Sequence, residues 1–147
     1  MARRLPIPVR TASDYSEEAV EYYRNARELL DSVRVRDERY VYVKRVREAC
    51  GTAYLAVLAA IKSFLMARGV PHGKLPQEYK AYGQALSRHG ARNGKVLQSF
   101  HRAYGILHLD GYYQGFRSTA TGEMGFAYAK FVIERLTGRR VGGDGGS

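Results

Sequence analysis

The stretch "HRAYGILHLDGYYQG" (residues 101–115) holds two side chains that could act on a phosphodiester, Arg102 and His108. An imidazole titrates near neutral pH, so it can take a proton from a hydroxyl or return one to a leaving oxygen. A guanidinium donates two parallel hydrogen bonds to a phosphate and holds the charge that develops on it. With 18 arginines and four histidines in 147 residues, composition alone predicts about 1.5 Arg–His pairs with four to six residues between them. On a straight helix, residues six apart point about 120° apart, so convergence requires a kink or a second chain. A structural reading stands beside the catalytic one. At 100° per residue His108 and Tyr112 each fall within about 20° of His101, forming a histidine–tyrosine strip. Phe100, Tyr104, Leu107 and Gly111 make the neighbouring stripe, which is the expected core face. Both readings stay open.

Other chemistries find less support. "GVPHGKL" (Gly69–Leu75) is one residue short of a phosphate loop and has leucine where serine or threonine would hold magnesium. Helix termination by Gly69 and Pro71 explains it better. His72, His89, His101 and His108 are scattered, with no acidic residue three or four away on the shared face, so no metal is expected. The single cysteine, Cys50, lies on an apolar stripe and reads as a small buried hydrophobe. It excludes a disulfide framework within the chain. No cofactor is expected.

The net charge of +10 is unevenly spread. Between residues 49 and 109, eight basic residues face Glu78 alone, whereas the two flanks are nearly balanced. Lys62, Arg68, Lys74, Arg88, Arg92 and Lys95 are therefore candidate contacts for a nucleic acid or nucleotide. A solvated surface is the plain alternative.

The elements that must position these groups are helical. An extended arm is expected over residues 1–13, held by Pro6 and Pro8. A single bundle domain is expected over 14–137, followed by a flexible glycine-rich tail over 138–147. Asp14 and Glu17 suggest a capping box at the first helix, with Ala19, Tyr22, Tyr23, Ala26, Leu29 and Leu30 at helical spacing. A second helix is expected from near Asp37 to Gly69, about 48 Å long and prone to a kink near Gly51. The third, "LPQEYKAYGQALSRHG", starts at Pro76 and ends at Gly90. The fourth runs from about Asn93 to Tyr113, and the fifth follows a break at "RSTATGE". Gly105 in mid-helix costs about 1 kcal/mol relative to alanine, so a close backbone approach is expected there, with Gly122 or Gly125 as partner. The fold class is all-α, an antiparallel bundle of four or five helices with short loops and disordered termini. The longest apolar run, Ala53–Ile61, is about half the length of a bilayer span. With no secretory leader visible, a cytoplasmic protein without membrane contact is expected.

Taken together, "YRNARELL", "ACGTAYLAVLAAI" and "YGILHLDGYYQG" resemble the HEPN superfamily and, within it, a small bacterial family of HEPN-like helical bundles of unknown function. The resemblance covers roughly Tyr15 to Leu136. It implies one of two functions. One is a non-catalytic binding or partner module, dimeric, with a basic face for RNA or nucleotide, or a nucleotidyltransferase as partner. The other is a metal-independent ribonuclease using the Arg-x(5)-His pair Arg102 and His108, supported by His101, Tyr104 and Tyr112.

Overall fold

The computed structural model describes residues 10–90 and 94–142. Among the described residues, five α-helices pack as an all-α bundle: α1 (Ala12–Asp31), α2 (Val43–Ala67), α3 (Tyr79–Arg88), α4 (Gly94–Ala103) and α5 (Thr119–Thr137). A π-helix, Tyr104–Gln114, continues α4 without a break. The expected arm over residues 1–9, the tail from 143 and Arg92 lie outside the described residues.

The central element is α2. Its 25 residues are long and apolar enough to span a bilayer, yet 61% of the apolar window is buried inside the protein. Small residues bring its neighbours close: Ala49, Cys50, Ala53, Ala56, Ala59 and Ala60 are buried along its length. Helix α1 runs antiparallel to it, with the Ser63 hydroxyl donating to the Ala12 carbonyl at one end and Arg45 donating to Ser32 near the other. Helix α5 runs antiparallel to α1. The Tyr23 hydroxyl donates to the Phe126 carbonyl, and Arg27 holds Glu123 at 2.6 Å.

Several boundaries differ from the sequence expectation for local reasons. Helix α1 begins at Ala12 because Thr11 and Asp14 form the capping box, one turn before the expected pair. Residues 37–42 do not join α2. Val35–Arg36 and Arg39–Tyr40 pair as a short antiparallel hairpin instead, and Asp37 and Glu38 both adopt positive φ at its turn. A two-residue loop between twisted strands demands that conformation, and polar Asp37 is suited to it. The hairpin supports the start of α5: the Tyr40 N–H donates to the Arg117 carbonyl, and the Thr119 N–H to the Glu38 carbonyl. The Tyr40 side chain lies under Gly122, where any side chain would collide with its hydroxyl.

Helix α3 starts at Tyr79 rather than Pro76, because the Glu78 carboxylate accepts from the Lys80 and Ala81 N–H groups. Helix α5 starts inside "RSTATGE", where Ser118 caps it. At its far end the chain stays packed as far as Val141. That buried residue donates its N–H to Glu134, and its carbonyl accepts from Arg24.

Candidate functional site

The change from α to π register decides where each candidate side chain goes. A π-helix closes i→i+5 hydrogen bonds, so its turn is wider than an α-turn. His108 therefore neighbours Tyr104, Tyr112 and Tyr113, with ring centroids 5.4, 6.0 and 4.7 Å away. Across the interface it stacks on Tyr54 of α2 at 4.9 Å. The core stripe expected of this segment is present, with Phe100, Leu107 and Gly111 buried and Tyr104 half-buried. The expected single strip of His101, His108 and Tyr112 is not, because it presumed one α-helical period throughout. His101 turns instead to α3, where its ring packs edge-on against Tyr79 and Nδ1 is hydrogen-bonded to the Tyr79 hydroxyl.

Arg102 turns a third way. Its guanidinium lies 5.8 Å above the Tyr128 ring of α5. Within one chain, then, Arg102 sits against α5 and His108 against α2, and the groove that His108 lines does not include Arg102. Within one chain the two do not meet.

Desolvation by the surrounding rings pushes the His108 imidazole below its ordinary value of 6.5. Unfolding releases it to that higher value, so the unfolded chain binds more protons in the interval between the two. The stabilising contribution is fully present above pH 6.5 and is lost as pH falls through the folded-state value. The melting temperature of the wild type should therefore drop faster than that of His108→Phe between pH 7 and pH 5. Parallel curves would show that the ring is as well solvated as in the unfolded chain.

The basic candidates divide among neighbouring places. Arg88 lines a groove of about 540 Å³ between α3 and α4 with Lys80, His101 and Tyr79. Arg68 reaches the end of α3, where its guanidinium lies near Gly90 and 4.8 Å above the Phe64 ring. Lys62 lies over Tyr15, which also meets Arg10 and hydrogen-bonds His72 at 3.0 Å. Lys74 is in a short 3-10 turn after α2, and Lys95 lies over Phe131 of α5. Lys80 is a groove cation that residue-by-residue selection passed over, although the regional charge count included it.

A second groove, of about 520 Å³, opens between α1, α2 and the π-helix. Its walls include Leu29, Leu55, Leu58 and Tyr112, with His108 and Glu48 among its polar groups. Two glycines bring its walls together. Gly51 and Gly111 each stand next to a residue that packs against the other: Tyr112 on Gly51, and Cys50 on Gly111. Gly105, where a close approach was expected, has nothing within 4 Å of where its side chain would be. The approach is made by neighbours instead, with Ile106 and Leu107 lying against Gly125. Burial pushes the Cys50 thiol up to about 12, which leaves it an inert packing group. Among the described residues, no group of three or more His, Cys, Asp and Glu side chains could hold a metal ion.

A solved protein of unknown function from Dyadobacter fermentans is 26% identical to this chain, with a TM-score of 0.73 over 88% of this chain and 98% of that one. No curated protein matches. Residues 14–138, from the first turn of α1 to the glycine that ends α5, match the family described as Domain of unknown function (DUF5618). This chain belongs to that family.

Proposed function

We propose that this protein is a non-catalytic, HEPN-like binding module that holds the phosphate backbone of RNA along the basic groove between α3 and α4. The observation that carries this reading is the charge arrangement of that groove. Lys80, Arg88 and His101 line it with no carboxylate among the lining residues. The one acidic residue of the region, Glu78, is committed to capping α3. Lys80 and Arg88, two cations on one groove with no carboxylate beside them among the lining residues, attract a polyanion, whose condensed counterions are released on binding. The divergence of Arg102 and His108 within the chain supports a module without catalysis, and the sequence resemblance includes such modules.

Binding to a labelled 20-nucleotide single-stranded RNA, followed by fluorescence anisotropy, tests the reading. The logarithm of the affinity should fall linearly with the logarithm of salt, with a slope of about −0.7 per phosphate neutralised. Absent or salt-insensitive binding would overturn it and leave a partner protein, such as a nucleotidyltransferase, as the occupant.

One observation favours a ribonuclease as the second reading. Among the described residues nothing hydrogen-bonds the His108 ring, which leaves it free to move a proton, and a two-fold dimer could supply Arg102 from the other copy. Cleavage of end-labelled RNA in excess EDTA, abolished in His108→Ala, would establish that activity. The module reading expects no cleavage by either protein.

A further inference from the structure

We propose that the groove between α1, α2 and the π-helix is a binding site for an organic ammonium ion with an apolar body. Its hydrocarbon would lie on Leu29, Leu55 and Leu58, and its cationic head between the Tyr112 face and the Glu48 carboxylate. The site is independent of the α3–α4 groove, which is lined by other residues.

Three observations support it. The first is an apolar surface left open: Leu55 is 51% exposed and Tyr112 45% exposed, although both line a concavity of about 520 Å³. That volume suits a small molecule, and a mostly apolar pocket with a few convergent polar groups is the usual form of such a site.

The second is the ring ladder. Tyr54, His108 and Tyr112 follow one another at 4.9 and 6.0 Å, tilted by 28° and 9°. Tyrosine faces carry negative electrostatic potential, and their attraction for a cation grows as water is excluded. Desolvation shifts the imidazole in the ladder toward its neutral form, which lessens its repulsion of a positive head.

The third is the lone carboxylate. Glu48 lines the groove, and among the described residues it forms no ion pair, in a chain of net charge +10. A positively charged ligand is the complement of that arrangement, and an anionic one is not.

The local backbone is built for this ladder. A π-helical segment is uncommon, and such segments occur frequently at functional sites. Here it sets His108 and Tyr112 on the α2 side together. Gly51 lets the Tyr112 ring come close to α2, since a Cβ there would stand 2.8 Å from its Cδ1.

The test is an NMR titration of the full chain with phenethyltrimethylammonium, beside its neutral tert-butyl isostere. The cation should shift the resonances of Gly51, Leu55, Leu58 and His108. The isostere, lacking the cation–π attraction, should bind about tenfold more weakly. Glu48 is exposed, so Glu48→Gln should fold normally and weaken the cation by about fivefold through the lost charge contact. Tyr112→Ala should lose still more. Equal affinity for cation and isostere, an unchanged Glu48→Gln, or shifts confined to other residues would each overturn the proposal. Because the α3–α4 groove shares none of these residues, failure here leaves RNA binding untouched, and failure of RNA binding leaves this site standing.

Discussion

Gly111→Ala should cost about 3 kcal/mol and lower the melting temperature by about 10 °C, which thermal denaturation followed by circular dichroism would read directly. The added Cβ would stand 2.6 Å from the Cys50 sulfur, 2.7 Å from the Cys50 Cβ and 3.1 Å from the Ile106 carbonyl oxygen. None of these can move cheaply. The Cys50 Cβ is fixed to the backbone of the buried central helix, and the carbonyl belongs to the π-helix itself. Relief requires separating α2 from the π-helix, which would expose Leu107 and Phe100, both fully buried. Two other glycines serve as controls. Gly105→Ala meets nothing within 4 Å, so it should leave stability unchanged or raise it by up to about 1 kcal/mol through reduced unfolded-state entropy. At Gly51 the obstacle is the ring of a half-exposed tyrosine, which can swing into solvent. Gly51→Ala should therefore cost little in stability while displacing Tyr112 from the groove. Equal losses at Gly105 and Gly111 would show that backbone freedom, not the Cys50 approach, governs both positions.

The same segment shows what was legible in the residues and what was not. The apolar spacing in α1, α2 and α5 identifies an all-α bundle because each helix presents a stripe that only another helix can bury. Phe100, Leu107 and Gly111 emerge as core for that reason. Side-chain directions on either side of Ala103 do not, because they depend on a change of helical period that no local residue announces. Counting at 100° per residue placed His101 beside His108, whereas the wider turn sends one to α3 and the other to α2. Element ends were misplaced where two capping candidates competed. Thr11 with Asp14 prevailed over Asp14 with Glu17, and Glu78 prevailed over Pro76. The hairpin at Asp37–Glu38 carries neither glycine nor asparagine, so its positive-φ turn, which the two-residue loop requires, had no residue signal to announce it. The basic middle of the chain was visible as a count. The groove formed by Lys80, Arg88 and His101 depends on how α3 lies against α4, and that is a tertiary fact.

That groove makes the second large prediction. Lys80 and Arg88 are eight residues apart on α3, about 12 Å along the helix, and both are exposed. Replacing both with glutamate removes two phosphate contacts and puts two repulsive charges in their place. Affinity for the single-stranded RNA should fall about 100-fold at low salt, and the salt slope should become shallower by about 1.4. A drop in affinity alone would not locate the site, because the substitution also lowers the net charge by four. The matched control is Arg34→Glu with Arg36→Glu, which changes net charge equally at the hairpin before α2, where both side chains are exposed, whereas the end of α3 meets Arg68 at the other end of that helix. Long-range attraction is screened beyond about 8 Å at physiological ionic strength, so the control should lose far less there than the groove variant. If the two variants weaken binding alike, the RNA responds to the charge of the whole molecule, and the α3–α4 groove is not its site. If only the groove variant fails, the contact is local, and the near absence of carboxylates between residues 49 and 109 is what creates it.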